Sequence, residues 1–310
     1  MGIVFFGSSD FSIPALKASL DSSLKVSLVI TTPDRKQGRG LKELPTPIRT
    51  FAREKGLPCE APETLRSEEL IGRVRALKPE YFVVSSYGKL IPANWLQIPS
   101  RGSFNVHPSL LPKYRGAAPI NWPLLNGDTE TGMSIIEVAE KLDAGDIFYQ
   151  QRISIQAEDD ALTLTEKLAQ FSYTALQTVL DAAARDALKR TAQDETKATY
   201  ARKLGKEDGK VDWEKPAAQI ACMVRGLLPW PTASAAYQNE SFQILKARPV
   251  SEAGSAKPGE ILAVTKDAGL RVQCGSGGLE VLRVRPAGKN AMSGFEFANG
   301  RRMQPGMRFS

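Results

Sequence analysis

One stretch of the chain decides how the rest is arranged: Ser103-Phe104-Asn105-Val106-His107-Pro108-Ser109-Leu110-Leu111-Pro112. It predicts a short strand that ends at Pro108, because proline cannot donate to a sheet ladder. Side chains two positions apart on a strand share a face, so Asn105 and His107 are expected to point the same way. His107 is the only histidine of the 310 residues, so any chemistry that needs an imidazole is confined to this strand end.

Apolar runs alternate with helical patterns on both sides of this strand. Strands separated by helices predict an α/β fold with a mostly parallel sheet, in which ligands bind beyond the carboxyl ends of the strands. Gly7, Tyr87, Gly88 and the 105–107 strand end are expected at that edge. The predicted strands span 3–6, 26–30, 81–84 and 104–107, and the predicted helices span 12–20 and 68–77.

The second half of the chain opens on an acidic turn, Leu142-Asp143-Ala144-Gly145-Asp146, between strand-like runs at 133–138 and 147–155. A helix with an apolar stripe is predicted over 163–188, and the polar stretch 189–206 has the composition of a linker. Short β-like runs split by glycine and proline then fill 242–285, a spacing that predicts a small β-barrel. We therefore expect a catalytic domain over 1–188, a linker over 189–206 and a β-barrel domain over 207–310.

A long basic segment at 33–47 interrupts the α/β pattern. It carries Arg35, Lys36, Arg39 and Lys42 together with two glycines, and we expect an exposed loop with no regular element. Arg39 stands between the two glycines, so its guanidinium can reach a phosphate or a carboxylate at little steric cost. A solvated flexible loop without a function explains the same composition.

The composition is that of a globular protein, 42% hydrophobic and 24% charged, with three widely separated cysteines. Sparse cysteines suit a reducing compartment, and one histidine without paired cysteines gives no zinc-ligand spacing. The chain begins in an apolar run without a basic leader, and no apolar run approaches the roughly 20 residues that a bilayer crossing needs. We expect a cytoplasmic protein with no metal, and nothing in the sequence requires more than a monomer.

The net charge of +7 is unevenly placed. Residues 206–310 hold 15 Lys and Arg against 10 Asp and Glu, a net +5, whereas residues 1–205 hold 26 against 24, a net +2. A basic final third favours a polyanionic partner such as a nucleic acid, although many basic proteins bind none.

Asn105, His107 and Asp143 form a compact set if the acidic turn folds over the strand end. We expect Asp143 to hold His107 in its charged form, and Asn105 and His107 to donate to an oxygen that gains charge in a tetrahedral transition state. No serine or cysteine stands in a nucleophile motif such as GxSxG, so the expected nucleophile is a substrate amine. The alternative for a lone histidine is a buried ring held by hydrogen bonds.

Two motifs carry a resemblance to a known family. The run Asn105-Val106-His107-Pro108-Ser109-Leu110-Leu111-Pro112-Lys113-Tyr114-Arg115-Gly116, with the 142–146 turn, resembles the signature of the 10-formyltetrahydrofolate-dependent formyltransferases. The basic 33–47 segment, Ala117-Ala118-Pro119-Ile120, Pro229-Trp230-Pro231 and Pro286-Ala287-Gly288-Lys289 resemble the branch that formylates methionyl-tRNA. The resemblance covers essentially the whole chain.

The resemblance implies a Rossmann-like formyltransferase domain followed by an OB-like barrel that binds tRNA. It implies an enzyme that transfers a formyl group from 10-formyltetrahydrofolate to the α-amino group of methionyl initiator tRNA for translation initiation, without a metal. Asn105, His107 and Asp143 are the implied catalytic residues. The implied folate-binding residues are Ser109, Leu110, Leu111, Pro112, Tyr87, Gly88, Leu90 and Ile91, and the implied tRNA-binding residues are Arg35, Lys36, Arg39 and Lys42.

Two alternatives stay open at this point. The same chemistry on a small amine, such as an amino sugar or a glycinamide ribotide, predicts indifference to tRNA and to substitution of Arg39. A non-catalytic RNA-binding protein on the same fold predicts salt-sensitive tRNA binding and no turnover.

Overall fold

The computed structural model describes residues 2–37, 42–238, 240–251, 256–266 and 269–309, with the backbone alone described at 35–37 and 42. The chain divides into two compact units. The first comprises Met1–Pro119, Thr131–Ser154 and Thr165–Ala201, and the second comprises Ile120–Glu130, Ile155–Leu164 and Arg202–Ser310. This division does not coincide with the boundaries predicted at residues 188 and 207. Those boundaries stay a prediction about independently folding domains.

Strands and helices alternate in the first half, and strands dominate the last third. In chain order the strands are β1 (Gly2–Gly7), β2 (Lys25–Ile30), β3 (Arg35–Gln37), β4 (Lys42–Leu44), β5 (Cys59–Glu60), β6 (Tyr81–Ser85), β7 (Ser103–His107), β8 (Arg115–Gly116), β9 (Glu130–Glu137), β10 (Ile147–Ser154), β11 (Tyr200–Ala201), β12 (Ser234–Tyr237), β13 (Glu240–Val250), β14 (Ile261–Thr265), β15 (Gly269–Gln273), β16 (Gly278–Pro286) and β17 (Met292–Ser293). The α-helices are α1 (Ser12–Asp21), α2 (Pro47–Glu54), α3 (Glu68–Ala76), α4 (Ala93–Leu96), α5 (Asn121–Asn126), α6 (Ala161–Ala184), α7 (Ala217–Gly226) and α8 (Gly294–Gly300). Short 3-10 helices span Glu195–Lys197 and Lys206–Gly209.

A seven-stranded sheet organises the first unit, in the order β10-β9-β7-β6-β1-β2-β5. Strands β5, β2, β1, β6 and β7 are parallel, and β9 pairs antiparallel with β7. The central strand β1 buries its apolar residues from Ile3 to Phe6 completely, as expected for a parallel strand covered on both faces. The predicted Rossmann-like α/β architecture with a mostly parallel sheet is confirmed.

Helix α3 shows how local sequence forms an element of this unit. The Ser67 hydroxyl oxygen accepts from the Leu70 amide at 3.4 Å and so satisfies one of the unpaired amides of the first turn. Two glutamates occupy the first turn and two arginines the last, which suits the helix dipole. Leu70, Ile71 and Val74 are buried on one face, so the amphipathic helix predicted over 68–77 is present.

The carboxyl ends of β6 and β7 bring candidate residues to one edge of the sheet. Val84 pairs with Asn105, so the segments that follow these two strands leave the sheet side by side. Strand β9 places Ser134 opposite His107 and then runs back, so that the Val138 amide donates to the Ser103 carbonyl at 2.9 Å. The acidic turn therefore starts beside the first residue of β7 and must fold back along that strand to reach its last residues.

The second unit is built on a six-stranded sheet, ordered β12-β13-β16-β15-β14 with β17 also paired to β16. Every described pairing between its named strands is antiparallel. Its core contains aromatic rings from distant segments: the Phe242 ring centroid lies 4.6 Å from that of Phe297 and 5.3 Å from that of Phe309. This sheet fits the small barrel that the spacing of apolar runs predicts.

Three details differ from prediction. The basic segment is paired in its described parts, since β3 is antiparallel to β4, so the prediction that it has no regular element is wrong. Pairs this short depend on backbone hydrogen bonds, which apolar periodicity does not reveal. The helix predicted over 163–188 spans Ala161–Ala184, and β11, inside the polar 189–206 stretch, pairs with β8.

Among the described residues, no helix has the length and apolar composition needed to cross a membrane.

Candidate active site

The first unit brings Asn105, His107 and Asp143 together. The Asn105 side-chain amide donates to Asp143 Oδ1 at 3.2 Å, and Asp143 Oδ2 lies 3.6 Å from His107 Nδ1. Asp143 Oδ2 also accepts from the Gly116 amide at 2.8 Å. The His107 and Asp143 side chains are 4% and 7% exposed, so these groups interact where water screens little.

The acidic turn is pinned where it folds back. Asp143 has a φ of +50°, a left-handed conformation that residues with a side chain rarely adopt. Gly145 packs so closely on the end of β9 that an added Cβ would overlap the Glu137 carbonyl oxygen. The Glu137 amide also donates to the Asp146 carbonyl at 2.9 Å. These contacts fix the carboxylate of Asp143 over β7.

Both ring nitrogens of His107 face protein atoms. Nε2 lies 3.0 Å from the Tyr114 carbonyl oxygen, and since a carbonyl can only accept, Nε2 carries the hydrogen. Burial lowers the pKa of His107 below its usual 6.5, and the opposing effects of the Asp143 carboxylate and the Tyr114 carbonyl do not compensate. The prediction that Asp143 holds the ring in its charged form is therefore wrong, because desolvation outweighs a carboxylate that is beyond hydrogen-bond distance.

This arrangement supplies one hydrogen-bond donor and one proton-accepting pair. Asn105 is only partly buried and uses one of its two amide hydrogens on Asp143, so the second can be donated to a ligand oxygen. With Nε2 protonated, the neutral ring turns its Nδ1 lone pair toward Asp143 Oδ2, so a proton delivered to this pair has two acceptors. Within the described ranges, no cluster of three His, Cys, Asp or Glu side chains could hold a metal ion.

The loop after β7 is held from inside the unit. The Ser109 side chain is fully buried and its hydroxyl donates to the Lys113 carbonyl at 2.7 Å, while the Leu111 amide donates to the Ser134 hydroxyl at 3.2 Å. Leu110 and Pro112 are only partly buried. Of the four residues predicted to bind folate here, these two present surface, and Ser109 and Leu111 shape the loop beneath them.

The loop after β6 divides in the same way. The Tyr87 ring packs 5.4 Å from the Phe6 ring, and its hydroxyl is buried without a hydrogen-bond partner in the described part of the chain. Burial raises the pKa of Tyr87 to about 12. Ile91 is buried, whereas Gly88 is exposed with a φ of +80° and Leu90 is 80% exposed. An apolar side chain this exposed at the ligand-binding edge suits a flat aromatic ligand.

Four contributors to this site were not predicted as functional residues. Tyr114, Arg115 and Gly116 belong to the quoted signature, so a signal for them existed in the sequence. Gln193 lies in the polar 189–206 stretch, yet its amide donates to the carbonyls of Asp143 and Gly145. No local pattern marks a glutamine that acts on a turn 50 positions away.

The residues predicted to bind tRNA are described only in part. Arg39 lies outside the described residues, and Arg35, Lys36 and Lys42 lie in β3 and β4 with their side chains not described.

Strands β13 and β16 of the second unit form a second basic surface. Lys246 pairs with Arg283 where the register of the two strands shifts, and both side chains are exposed, so two like charges lie close together. Arg248 and Arg285 are exposed on the same two strands. Arg248 is partly neutralised, because it forms an ion pair with the buried Glu280. A surface of this kind attracts phosphates.

Two family profiles match the chain: Formyl transferase over residues 1–180, and Formyl transferase, C-terminal domain, over residues 203–302. Among curated proteins, the Methionyl-tRNA formyltransferase of Geobacter metallireducens is 39% identical over 308 residues, which cover 99% of this chain and 98% of that protein. The Methionyl-tRNA formyltransferase of Methylobacillus flagellatus is 41% identical over 310 residues, with 100% and 99% covered.

Solved structures share the fold at low identity. An N-formyltransferase from Helicobacter canadensis, in complex with folinic acid and dTDP-3-aminofucose, superimposes with a TM-score of 0.70 at 16% identity and covers 92% of this chain and 98% of its own. WlaRD, a sugar 3N-formyl transferase, superimposes with a TM-score of 0.68 at 17% identity and covers 94% and 99%.

Proposed function

The chain belongs to the formyl transferase family, and we propose that it transfers the formyl group of 10-formyltetrahydrofolate to the α-amino group of methionyl initiator tRNA. The observation that carries this proposal is the cluster of Asn105, His107 and Asp143 at the end of β7. Relatives named methionyl-tRNA formyltransferase match over the full length of the chain, which supports tRNA as the acceptor.

The reaction exchanges one carbon–nitrogen bond for another. The methionyl α-amine forms a bond to the formyl carbon, the bond from that carbon to folate N10 breaks, the amine loses a proton and N10 gains one. An α-amino group has a pKa of about 8 and is partly neutral near neutrality, so the enzyme need not generate the nucleophile. It must orient the amine, stabilise the formyl oxygen and move one proton.

The cluster supplies these functions. Asn105 donates its second amide hydrogen to the formyl oxygen, which gains negative charge in the transition state. Asp143 accepts the proton that the amine loses and returns it toward N10. His107, neutral and buried, adds a second proton acceptor beside Asp143 and holds the Tyr114 carbonyl with its Nε2–H. His107 does not donate to the formyl oxygen, since the one N–H of its neutral ring is engaged by the Tyr114 carbonyl.

The two loops beyond β6 and β7 supply the folate contacts. Leu90 offers exposed apolar surface, Leu110 and Pro112 offer partly exposed surface, and Gly88 leaves room beside them. Tyr87, Ser109, Leu111 and Ile91 support these contacts from within the unit. When bound, the folate supplies the formyl group, and the loops orient it toward Asn105.

The tRNA contacts are assigned to two basic regions. The 33–47 segment carries Arg35, Lys36, Arg39 and Lys42, and β13 and β16 expose the opposed pair Lys246 and Arg283. A bound phosphate would offset the repulsion between Lys246 and Arg283, so this pair is expected to favour tRNA binding. A protein that acts in translation works in the cytoplasm, so the proposal includes that location. One copy of the chain carries both basic regions, so the proposal needs no more than a monomer.

The test is transfer of a labelled formyl group by the purified protein. We expect labelled formyl-methionyl-tRNA with charged initiator tRNA, and no product with uncharged tRNA. An amino sugar offered as acceptor should stay unformylated, because the likeness to sugar formyltransferases is one of fold at 16–17% identity. Transfer to the amino sugar with charged tRNA left unmodified would overturn the proposal.

A further inference from the structure

Gln193 links the acidic turn to a buried arginine. Its Nε2 donates to the Asp143 carbonyl at 2.8 Å and to the Gly145 carbonyl at 2.7 Å. Its Oε1 accepts from Arg115 Nη2 at 2.7 Å and from Arg115 Nε at 3.1 Å. Both amide hydrogens and both lone pairs are used, so the side chain has one orientation that satisfies every bond.

Arg115 is itself held rigidly. Its side chain has no exposed surface, and a charge buried this deeply is tolerated only when it is paired. Glu195 supplies the pair: its Oε1 lies 2.6 Å from Arg115 Nη2 and its Oε2 lies 3.2 Å from Arg115 Nη1. Glu195 also bonds to Lys141 Nζ at 2.6 Å, two residues before Asp143. Glu195 thus holds Arg115, at one end of the Gln193 link, and also Lys141, next to the acidic turn at the other end.

The same segment of chain contacts the loop that follows β7. The Tyr114 amide donates to the Thr199 hydroxyl and the Arg115 amide to the Thr199 carbonyl, both at 2.9 Å. Tyr114 and Asp143 have left-handed φ values of +64° and +50°, so each stands in a backbone conformation that needs external support. Residues 193–201 therefore contact the backbone on the two sides of the His107 and Asp143 pair.

We propose that Gln193, oriented by buried Arg115, is a positioning residue that holds the Asp143 carboxylate over Asn105 and His107. The inference rests on the proposed function for its catalytic meaning, and on the hydrogen bonds above for its geometry. It assigns the polar stretch after α6 a part in the active site of the first unit, where composition indicates only a linker.

The kinetic test compares two substitutions at one position. Gln193→Leu removes every bond of the side chain, whereas Gln193→Glu keeps acceptors for Arg115 and removes both donors to the turn. For both variants kcat is expected to fall by about 10- to 100-fold, because a misplacement of about 1 Å in a reacting arrangement can cost about 10²-fold. KM for folate and for charged tRNA should change little, since none of the hydrogen bonds of Gln193 is made to a residue predicted to bind folate or tRNA. Gln170→Leu, on an exposed position of α6, is the matched control and should behave like the wild type.

A spectroscopic test does not depend on turnover. The chain has one histidine, so the untagged protein gives a single set of imidazole signals whose titration reports on the nearby carboxylate. Gln193→Leu, which adds no charge, should shift these signals and lower the pKa of His107 further, because Asp143 raises that pKa when in place. If wild-type protein shows no transfer but this shift occurs, the proposed function fails and the positioning role stands. An unshifted His107 in a folded Gln193→Leu variant, or an unchanged kcat in a protein that does transfer formyl groups, would overturn the inference.

Discussion

At the scale of the residue, the site is governed by a competition between burial and charge. His107 lies beside a carboxylate that favours its charged form, yet the ring is 4% exposed and its separation from Asp143 Oδ2 is 3.6 Å. Desolvation of a buried imidazolium wins over an attraction at that distance, so the ring is neutral. A neutral ring turns the pair into a proton acceptor rather than a fixed cation, which is what an amine nucleophile requires.

The titration of His107 tests this balance. In the untagged protein we expect the single set of imidazole signals to titrate below 6.5, the ordinary value for the side chain. The folded pKa then lies below the unfolded one, so the unfolded chain binds more protons between the two values. The contribution of His107 to the free energy of unfolding should therefore have its full value above pH 6.5 and decrease as the pH falls toward the folded pKa.

The control for this titration is His107→Asn, which lacks the signals and should show a flatter dependence of unfolding free energy on pH in the same window. A folded-state pKa at or above 6.5 would show that Asp143 dominates and would contradict the account.

At the scale of the element, the acidic turn has little steric freedom where it packs against the end of β9. It leaves β9, folds back along β7 and returns to β10, and its only glycine meets the Glu137 carbonyl. Gly145 is required there by close approach, not by a left-handed φ. The turn holds Asp143 only if this approach is kept.

Gly145→Ala should therefore lower both stability and turnover. A new methyl group overlapping a backbone carbonyl must displace the turn, and a displacement of Asp143 by even a fraction of an ångström weakens its bonds to Asn105 and Gly116. Gly72→Ala is the matched control: this exposed glycine lies inside α3 with no neighbouring atom within 4 Å of an added Cβ. Alanine there should stabilise the protein by about 0.5–1 kcal/mol.

Both variants are compared by urea unfolding and by formyl transfer. If Gly145→Ala keeps wild-type stability and turnover, the acidic turn is not tightly packed. If Gly72→Ala is less stable than the wild type, the general preference of helices for alanine does not hold at this position of α3.

The elements most visible in the sequence are those with regular periodicity. The buried runs of β1, β6 and β7 and the apolar stripe of α6 follow from period and composition alone, and the 105–107 alternation places Asn105 and His107 on one side. The β3–β4 pair and helix α2, which begins at a proline with Thr46 accepting from the Arg49 amide, lack a long apolar pattern and went unpredicted. The Gln193 link could not be read from sequence, because its bonds join segments 50 and 78 positions apart.

At the scale of the whole molecule, the feature to explain is the uneven charge. The final third carries a net +5, and in the described residues the exposed pair Lys246 and Arg283 is opposed across β13 and β16. Two exposed cations are thus brought together at an irregular point of the ladder, where like charges repel each other. The arrangement fits a surface that binds a polyanion, and the proposed acceptor is one.

Salt dependence of tRNA binding tests this surface. In the double variant Lys246→Ala with Arg283→Ala, the slope of log affinity against log salt should become shallower by about 1 for each phosphate that the variant no longer neutralises. Lys25→Ala with Lys189→Ala changes the net charge equally at exposed positions of the first unit and should leave the slope unchanged. Equal slopes for the two double variants would remove the second unit's basic surface from the proposed tRNA interface.

The most direct test of the central claim is the single-turnover rate of formyl transfer by Asp143→Asn, with folate and charged initiator tRNA both saturating. The substitution keeps the size of the side chain and removes the proton acceptor, so the rate should fall by at least ~10²-fold, the usual contribution of general acid–base catalysis. Asp181→Asn, on α6, should match the wild type. A wild-type rate from Asp143→Asn would contradict the account, because the cluster at the end of β7 would then not be where the proton moves.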